Sequence, residues 1–139
     1  VAMAGVLVMK PDILVLDEPA SGLDPQGRRD MFRFILELKD KGVTVILVSH
    51  NMDEASEYAD RICCIKDGKL LKTAEPRKLF EDEKQVVQMG IACPKLHEFM
   101  KTIQETADSK GLKLSINTNA IGVDEAINNL FKAFGGESC

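Results

Sequence analysis

The sequence predicts an α/β fold organised on a parallel sheet, and three observations predict it. Ile13-Leu14-Val15-Leu16 and Val43-Thr44-Val45-Ile46-Leu47-Val48-Ser49 are short apolar runs suited to strands buried on both faces. Each run is followed by a helical pattern, which gives the order strand, helix, strand, helix. Consecutive strands joined by a helix imply right-handed parallel crossovers within one sheet.

In chain order, Val1–Met9 is apolar and helix-compatible, with no polar cap before it, and reads as beginning within an element. Lys10-Pro11-Asp12 breaks it before the first strand. Asp24-Pro25 supplies a cap and a first-turn proline, after which Met31, Phe34, Ile35 and Leu38 recur at helical spacing. Gly42 ends that helix, with Glu37 and Lys41 spaced to pair one turn apart. Asn51 with Glu54 three residues on forms a capping-box pattern after the second strand. Asp67-Gly68 between Arg61–Lys66 and Lys69–Thr73 announces a β-hairpin. Past Pro76 come a short helix, the charged run Glu81–Lys84 and a break from Gly90 to Pro94. Leu96, Phe99, Met100, Ile103 and Ala107 mark a helix, Leu112–Ile116 alternates like an edge strand, and Val123, Ile127, Leu130 and Phe134 mark a last helix. The expected division is residues 1–83 as the main α/β portion and 84–139 as a small α/β extension.

Composition narrows the function. No apolar run approaches the roughly 18–20 residues of a membrane helix, and no basic-then-apolar leader opens the chain, so neither a membrane span nor a secretion signal is expected. The net charge is -4 and the basic residues are scattered, which argues against nucleic acid as a partner. Cys63, Cys64, Cys93 and Cys139 make no C-x-x-C pair, and with His50 and His97 as the only imidazoles a zinc site is not expected. Cys63 and Cys64 lie in an apolar run and read as reduced, buried thiols.

The stretch ILVLDEPASGLDP, residues 13 to 25, carries the chemistry. Ligands of open α/β sheets bind outside the carboxyl ends of the strands, and here a strand ends in Asp17-Glu18. Side chains alternate along a strand, so the two acids face different ways and take different jobs. One carboxylate is suited to Mg²⁺ through water, the other to orienting an attacking water. Taken locally, the pair also fits an ordinary strand end with solvated acids. A second strand of the same kind then ends in Ser49-His50. A lone histidine there is more often structural, but acids after one strand and histidine after the next form a combination.

That combination, with Ser21-Gly22-Leu23-Asp24-Pro25 between, resembles the second half of an ATP-binding cassette ATPase: Walker B strand, D-loop and switch histidine, over residues 1 to about 80. The resemblance implies the C-terminal part of a P-loop NTPase sheet, with ATP and Mg²⁺ as cofactors. Asp17 would support Mg²⁺, Glu18 would be the general base, and His50 would contact the γ-phosphate. Ser21 and Asp24 would lie in the D-loop, which crosses to the other monomer's site in a head-to-tail dimer. Ala20 departs from the Thr or Ser often found after the proline.

The larger departure is that G-x-x-x-x-G-K-[ST], the loop that cradles phosphates, is absent from the sequence, as are the glutamine loop and the Leu-Ser-Gly-Gly-Gln signature. In the family the signature lies just before the helix that Val1–Met9 resembles. The chain alone is therefore expected to bind little nucleotide. The tail, GIACPKLHEFMKTIQ and VDEAINNLFKAF, is similar to that of the ATPases of energy-coupling-factor importers, the cobalt and vitamin type. That similarity implies a second ATPase subunit and a membrane-embedded coupling subunit as partners, at the cytoplasmic face of the membrane. A non-catalytic assembly module stands as the alternative. DNA-repair and chromosome-organising ATPases share the motifs but bring coiled-coil arms or basic surfaces, and neither is present here.

Overall fold

The computed structural model describes residues 10–135, which divide into two compact units between His50 and Asn51. The helix expected over Val1–Met9, and Cys139, lie outside the described residues.

In the first unit β1 (Ile13–Asp17) and β2 (Thr44–Val48) pair in parallel, Ile13 opposite Thr44 through to Asp17 opposite Val48. Between them runs α1 (Pro25–Asp40). Its start is fixed by Asp24, whose Oδ1 accepts the Gly27 N–H at 2.8 Å, with Pro25 in the first turn. A Cβ on Gly27 would stand 2.8 Å from that same oxygen, so glycine there keeps the cap closed. At its end Val43 N–H donates to Leu38 O and Gly42 N–H to Lys39 O, with Gly42 at φ 87, the paired bonds of a Schellman motif. Glu37 and Lys41 make no ion pair; Lys41 is the C-cap, and its backbone N–H reaches the Glu37 carbonyl.

α1 buries Phe32, Ile35 and Leu38; Phe32, which the helical spacing passes over, is the most buried of them. Leu14 and Leu16 are covered, with Val45 and Leu47 half-buried in register beside them. The strands are not buried on both faces as their composition predicts. Ile13, Val15, Ile46 and Val48 remain 49–61 % exposed, because alternate side chains point to opposite faces and α1 covers one of them.

The second unit opens with α2 (Met52–Tyr58), capped by the Asn51 side chain, which accepts from Asp53 and Glu54 N–H. β3 (Ile62–Lys66) and β4 (Lys69–Ala74) form the expected hairpin, with Asp67 and Gly68 both at positive φ as a type I′ turn requires. A bulge falls between Cys64 and Ile65. Cys64 is buried but Cys63, on the opposite face of β3, is exposed, so only one of the two thiols is a core group. Four helices follow: α3 (Pro76–Phe80), α4 (Glu83–Gln88), α5 (Lys95–Ser109) and α6 (Val123–Ala133). Cys64, Leu79, Phe80 and Val86 form one core cluster, and Met100, Ile116, Ala120 and Ala126 another. The first cluster draws on residues from both sides of position 83.

Residues 112–116 are not the expected edge strand. The Gln104 amide on α5 stands in for a pairing strand: its Nε2 donates to Leu114 O at 3.0 Å and its Oε1 accepts the Ile116 N–H at 2.8 Å. A side chain thus satisfies backbone groups that a ladder would otherwise take. The described part of the extension is helices and their connections, one of which, residues 112–116, is held by that amide.

Candidate functional site

The carboxyl ends of β1 and β2 lie side by side because the strands are parallel and in register. Asp17 ends β1 on the same face as Ile13 and Val15, the open one, and is exposed. Glu18 N–H extends the ladder by one bond, to Val48 O at 2.9 Å. The chain then turns: Glu18 takes φ 45, and Ser21 N–H donates back to Glu18 O at 3.0 Å across Pro19 and Ala20. A non-glycine residue in the left-handed region costs about 1 kcal/mol or more and calls for a compensating contact.

The compensation is His50. Glu18 Oε1 accepts the His50 backbone N–H at 2.9 Å and lies 2.6 Å from His50 Nδ1. The His50 ring and backbone N–H hold the Glu18 carboxyl below its usual range, against a smaller opposing effect of partial burial. With Nδ1–H donating to the carboxylate, Nε2 is the ring's remaining polar atom, and the side chain is 88 % exposed. Two residues 32 positions apart, both expected at the site, are therefore in direct contact.

The other expected site residues sit close by in the chain with different engagements. Ser21 is exposed in the turn, tied to Glu18 through its backbone. Asp24 spends Oδ1 on the cap of α1. Among the described residues no group of three or more His, Cys, Asp or Glu side chains is arranged to hold a metal ion. One exposed strand-end carboxylate is instead the donor set of Mg²⁺, which keeps several waters and takes its other ligands from substrate phosphates. Asp17 fits that requirement. What sequence spacing does not reveal is the Glu18–His50 hydrogen bond itself, since it depends on strand register.

No protein-family model matches the chain. It is similar to the energy-coupling factor transporter ATP-binding protein EcfA2 of Listeria monocytogenes, at 37% identity over 127 residues, 91% of this chain and 44% of that protein. EcfA2 of Lactiplantibacillus plantarum is 43% identical over 106 residues, 76% of this chain and 36% of that protein. Among solved structures, cbiO1 of Clostridium perfringens, described as part of the ABC transporter complex cbiONQ, is 34% identical with a TM-score of 0.54, covering 63% of this chain and 35% of that one. The ATP-binding cassette MJ1267 in its ADP conformation is 30% identical with a TM-score of 0.55, covering 63% and 35%. The chain spans less than half the length of these relatives. The chain is homologous, over part of their length, to the ATP-binding proteins of energy-coupling factor transporters and to ATP-binding cassette ATPases.

Proposed function

We propose that this chain is the C-terminal half of an ATP-hydrolysing subunit that powers an energy-coupling-factor importer for a metal ion such as cobalt or for a vitamin. The observation that carries the reading is the Glu18–His50 pair at adjacent strand ends. Both of its contacts fall on Glu18 Oε1, which leaves Oε2 to accept a proton from the attacking water. The depressed pKa keeps that carboxylate ionised at neutral pH, as a base must be. His50 Nε2 is then the group for the γ-phosphate. Asp17 would hold Mg²⁺, which when bound neutralises charge on the nucleotide phosphates. Ser21 and Asp24 would face the opposite monomer in the paired enzyme. Phosphoryl transfer is mostly positioning and charge stabilisation, so these groups suffice on this side of the nucleotide.

The phosphate loop and signature would come from sequence outside these 139 residues, and the open apolar face of β1 and β2 supports that reading. Alone, the chain is expected to have little nucleotide affinity and no turnover. Residues 84–139 would serve as the accessory pairing region. α6 and its C-cap support this with exposed apolar side chains, Val123, Ile127, Phe131 and Phe134, beside the face that packs through Ala126 and Leu130. The partners would be a second ATPase subunit and a membrane-embedded coupling subunit, with the protein held peripherally at the cytoplasmic face of the membrane. Among the described residues no helix is long and apolar enough to cross a membrane.

The test is to splice this chain into EcfA2 of Lactiplantibacillus plantarum in place of the matching segment and measure Mg²⁺-dependent ATP hydrolysis. Turnover is expected. A spliced protein that folds and binds ATP but shows no hydrolysis would remove the catalytic reading and leave the assembly module. Separately, micromolar Mg-ATP binding by the unspliced chain would refute its predicted lack of affinity.

A further inference from the structure

We propose that residues 95–135 are a module docked on residues 52–93 through charged side chains, along a seam that opens as one while the apolar core on either side of it stays closed. The inference goes beyond the pairing role proposed for the extension and does not depend on it. The two cores of the second unit divide cleanly in sequence. The first, built on Leu79 and Val86, takes its members from the stretch Met52 to Cys93, and the second, built on Met100 and Ala126, from Leu96 to Ala133. Neither cluster takes a residue from the other's stretch, and the change falls at Pro94. Each core is closed by its own apolar burial, so parting the stretches leaves both intact.

Charged side chains bridge the stretches at three places. Asp53 Oδ1 on α2 accepts the Lys95 N–H at 2.7 Å, at the start of α5, where Pro94 in the N-cap position offers no side-chain acceptor. Glu83 on α4 takes His97 Nε2 at 2.9 Å on one carboxylate oxygen and Lys101 Nζ on the other. Arg77 on α3 donates to the Asn119 carbonyl at 3.0 Å and reaches both oxygens of Glu125 at 3.1 Å. These groups cost little to part: the Arg77 and Lys101 side chains are 47 % and 44 % exposed and those of Glu125 and Glu83 36 % and 28 %, so much of their hydration is already in place. His97 is the group that parting newly wets. Along the seam lies a cleft of about 10 Å³, room for roughly one water, with Arg77 and Phe80 on one side and His97, Ala120 and Ile121 on the other. The stretches therefore meet there without interlocking, and the charges between them carry the joint.

The experiment is amide hydrogen exchange of the full 139-residue chain, read at three amides. Lys95 N–H, held by Asp53, reports the seam; Val86 N–H, held by the Asp82 carbonyl, and Ile116 N–H, held by Gln104, report the two cores. Glu125→Gln neutralises the Arg77 bridge while keeping its shape, and Lys101→Met removes one cation from Glu83; neither residue bonds to Lys95 or Asp53. If the bridges open together, each substitution is expected to speed Lys95 exchange about threefold, the worth of a half-exposed ion pair. The double variant is expected to multiply the two effects to about tenfold, since both act on one opening. Val86 and Ile116 are expected to stay within about twofold. Raising NaCl on the unaltered chain from about 0.1 to about 1 M shortens the screening length from about 10 to about 3 Å and is expected to act in the same direction, at Lys95 and not at the core amides. Lys95 exchange that ignores both variants and salt would make the bridges independent surface contacts and overturn the proposal. Equal acceleration at all three amides would also overturn it, because the stretches would then open only by unfolding together. Should a variant fail to fold, the salt series on the unaltered chain decides between these outcomes.

Discussion

The chain has two histidines, and each is paired with a glutamate in a different setting. His50 meets Glu18 through Nδ1 at 2.6 Å with its side chain 88 % exposed. His97 meets Glu83 through Nε2 at 2.9 Å with its side chain 7 % exposed, and Lys101 closes on the other oxygen of the same carboxylate. The first pair sits at strand ends, one partner at a strained backbone position, with a ring nitrogen and a carboxylate oxygen open to a third molecule. The second joins α4 to α5, and both carboxylate oxygens are already taken. Identical residue types thus become an open pair or a structural clamp according to what the fold leaves unsatisfied.

The sharpest way to break this comparison is to remove the carboxylate from each pair. In the spliced ATPase, Glu18→Gln keeps the shape and the acceptor oxygen but removes the proposed base. Steady-state hydrolysis is expected to fall roughly 10²–10⁴-fold while ATP binding survives. Glu83→Gln, which removes the same charge from the clamp, is expected to leave turnover within about threefold. Turnover of the Glu18 variant within threefold of wild type would put the base elsewhere.

Stability is expected to rank the pairs the other way. His97→Ala removes a buried ring and one of the two groups holding Glu83, which should cost about 2 kcal/mol in urea unfolding of the chain. His50→Ala, at a side chain almost wholly in solvent, should change stability by no more than about 0.5 kcal/mol. Equal losses would mean that the Glu18–His50 contact holds the fold and is not kept for chemistry.

The sequence located the members of one pair, though not the bond between them, and hid the other for physical reasons. Glu18 and His50 each follow an apolar strand, so strand periodicity and the rule about carboxyl ends of sheets locate them. The caps at Asp24 and Asn51 and the Asp67-Gly68 turn are likewise local, each satisfied within four residues. Glu83, His97 and Lys101 meet over 14 and 18 residues through the packing of two helices, and no periodicity encodes that. The same holds for Asp53 on Lys95 and for Arg77, whose guanidinium takes both oxygens of Glu125 and the Asn119 carbonyl. Alternation in 112–116 suggested a strand, but Gln104 met the backbone need first. The apolar run of β1 predicted cover on two faces, and within these residues α1 gives it one.

The smallest expected effect is in the pH dependence of stability, and it separates the pairs by shape. Both carboxyls lie below the ordinary glutamate value of 4.5: Glu18 chiefly through the His50 ring, Glu83 chiefly through Lys101 and then His97. A lowered pKa gives stability that is present above 4.5 and fades as pH falls through the folded value, because there the unfolded chain binds the proton more readily. Each pair therefore has an acid limb, and Glu18→Gln or Glu83→Gln should flatten its own share. Of the two pairs only the clamp has an alkaline limb, beside the one that Cys64 and Cys93 add because burial pushes their thiols up. Lys101 is raised above its ordinary 10.5 by the bond to Glu83, so its contribution is present below 10.5 and is lost as pH rises through the folded value. Lys101→Met should thus flatten the unfolding free energy at both ends of the pH range, whereas no substitution at Glu18 or His50 should touch the alkaline end. Urea midpoints taken from pH 3 to 11 decide it, and an alkaline limb no smaller after Lys101→Met would place its origin wholly outside the clamp.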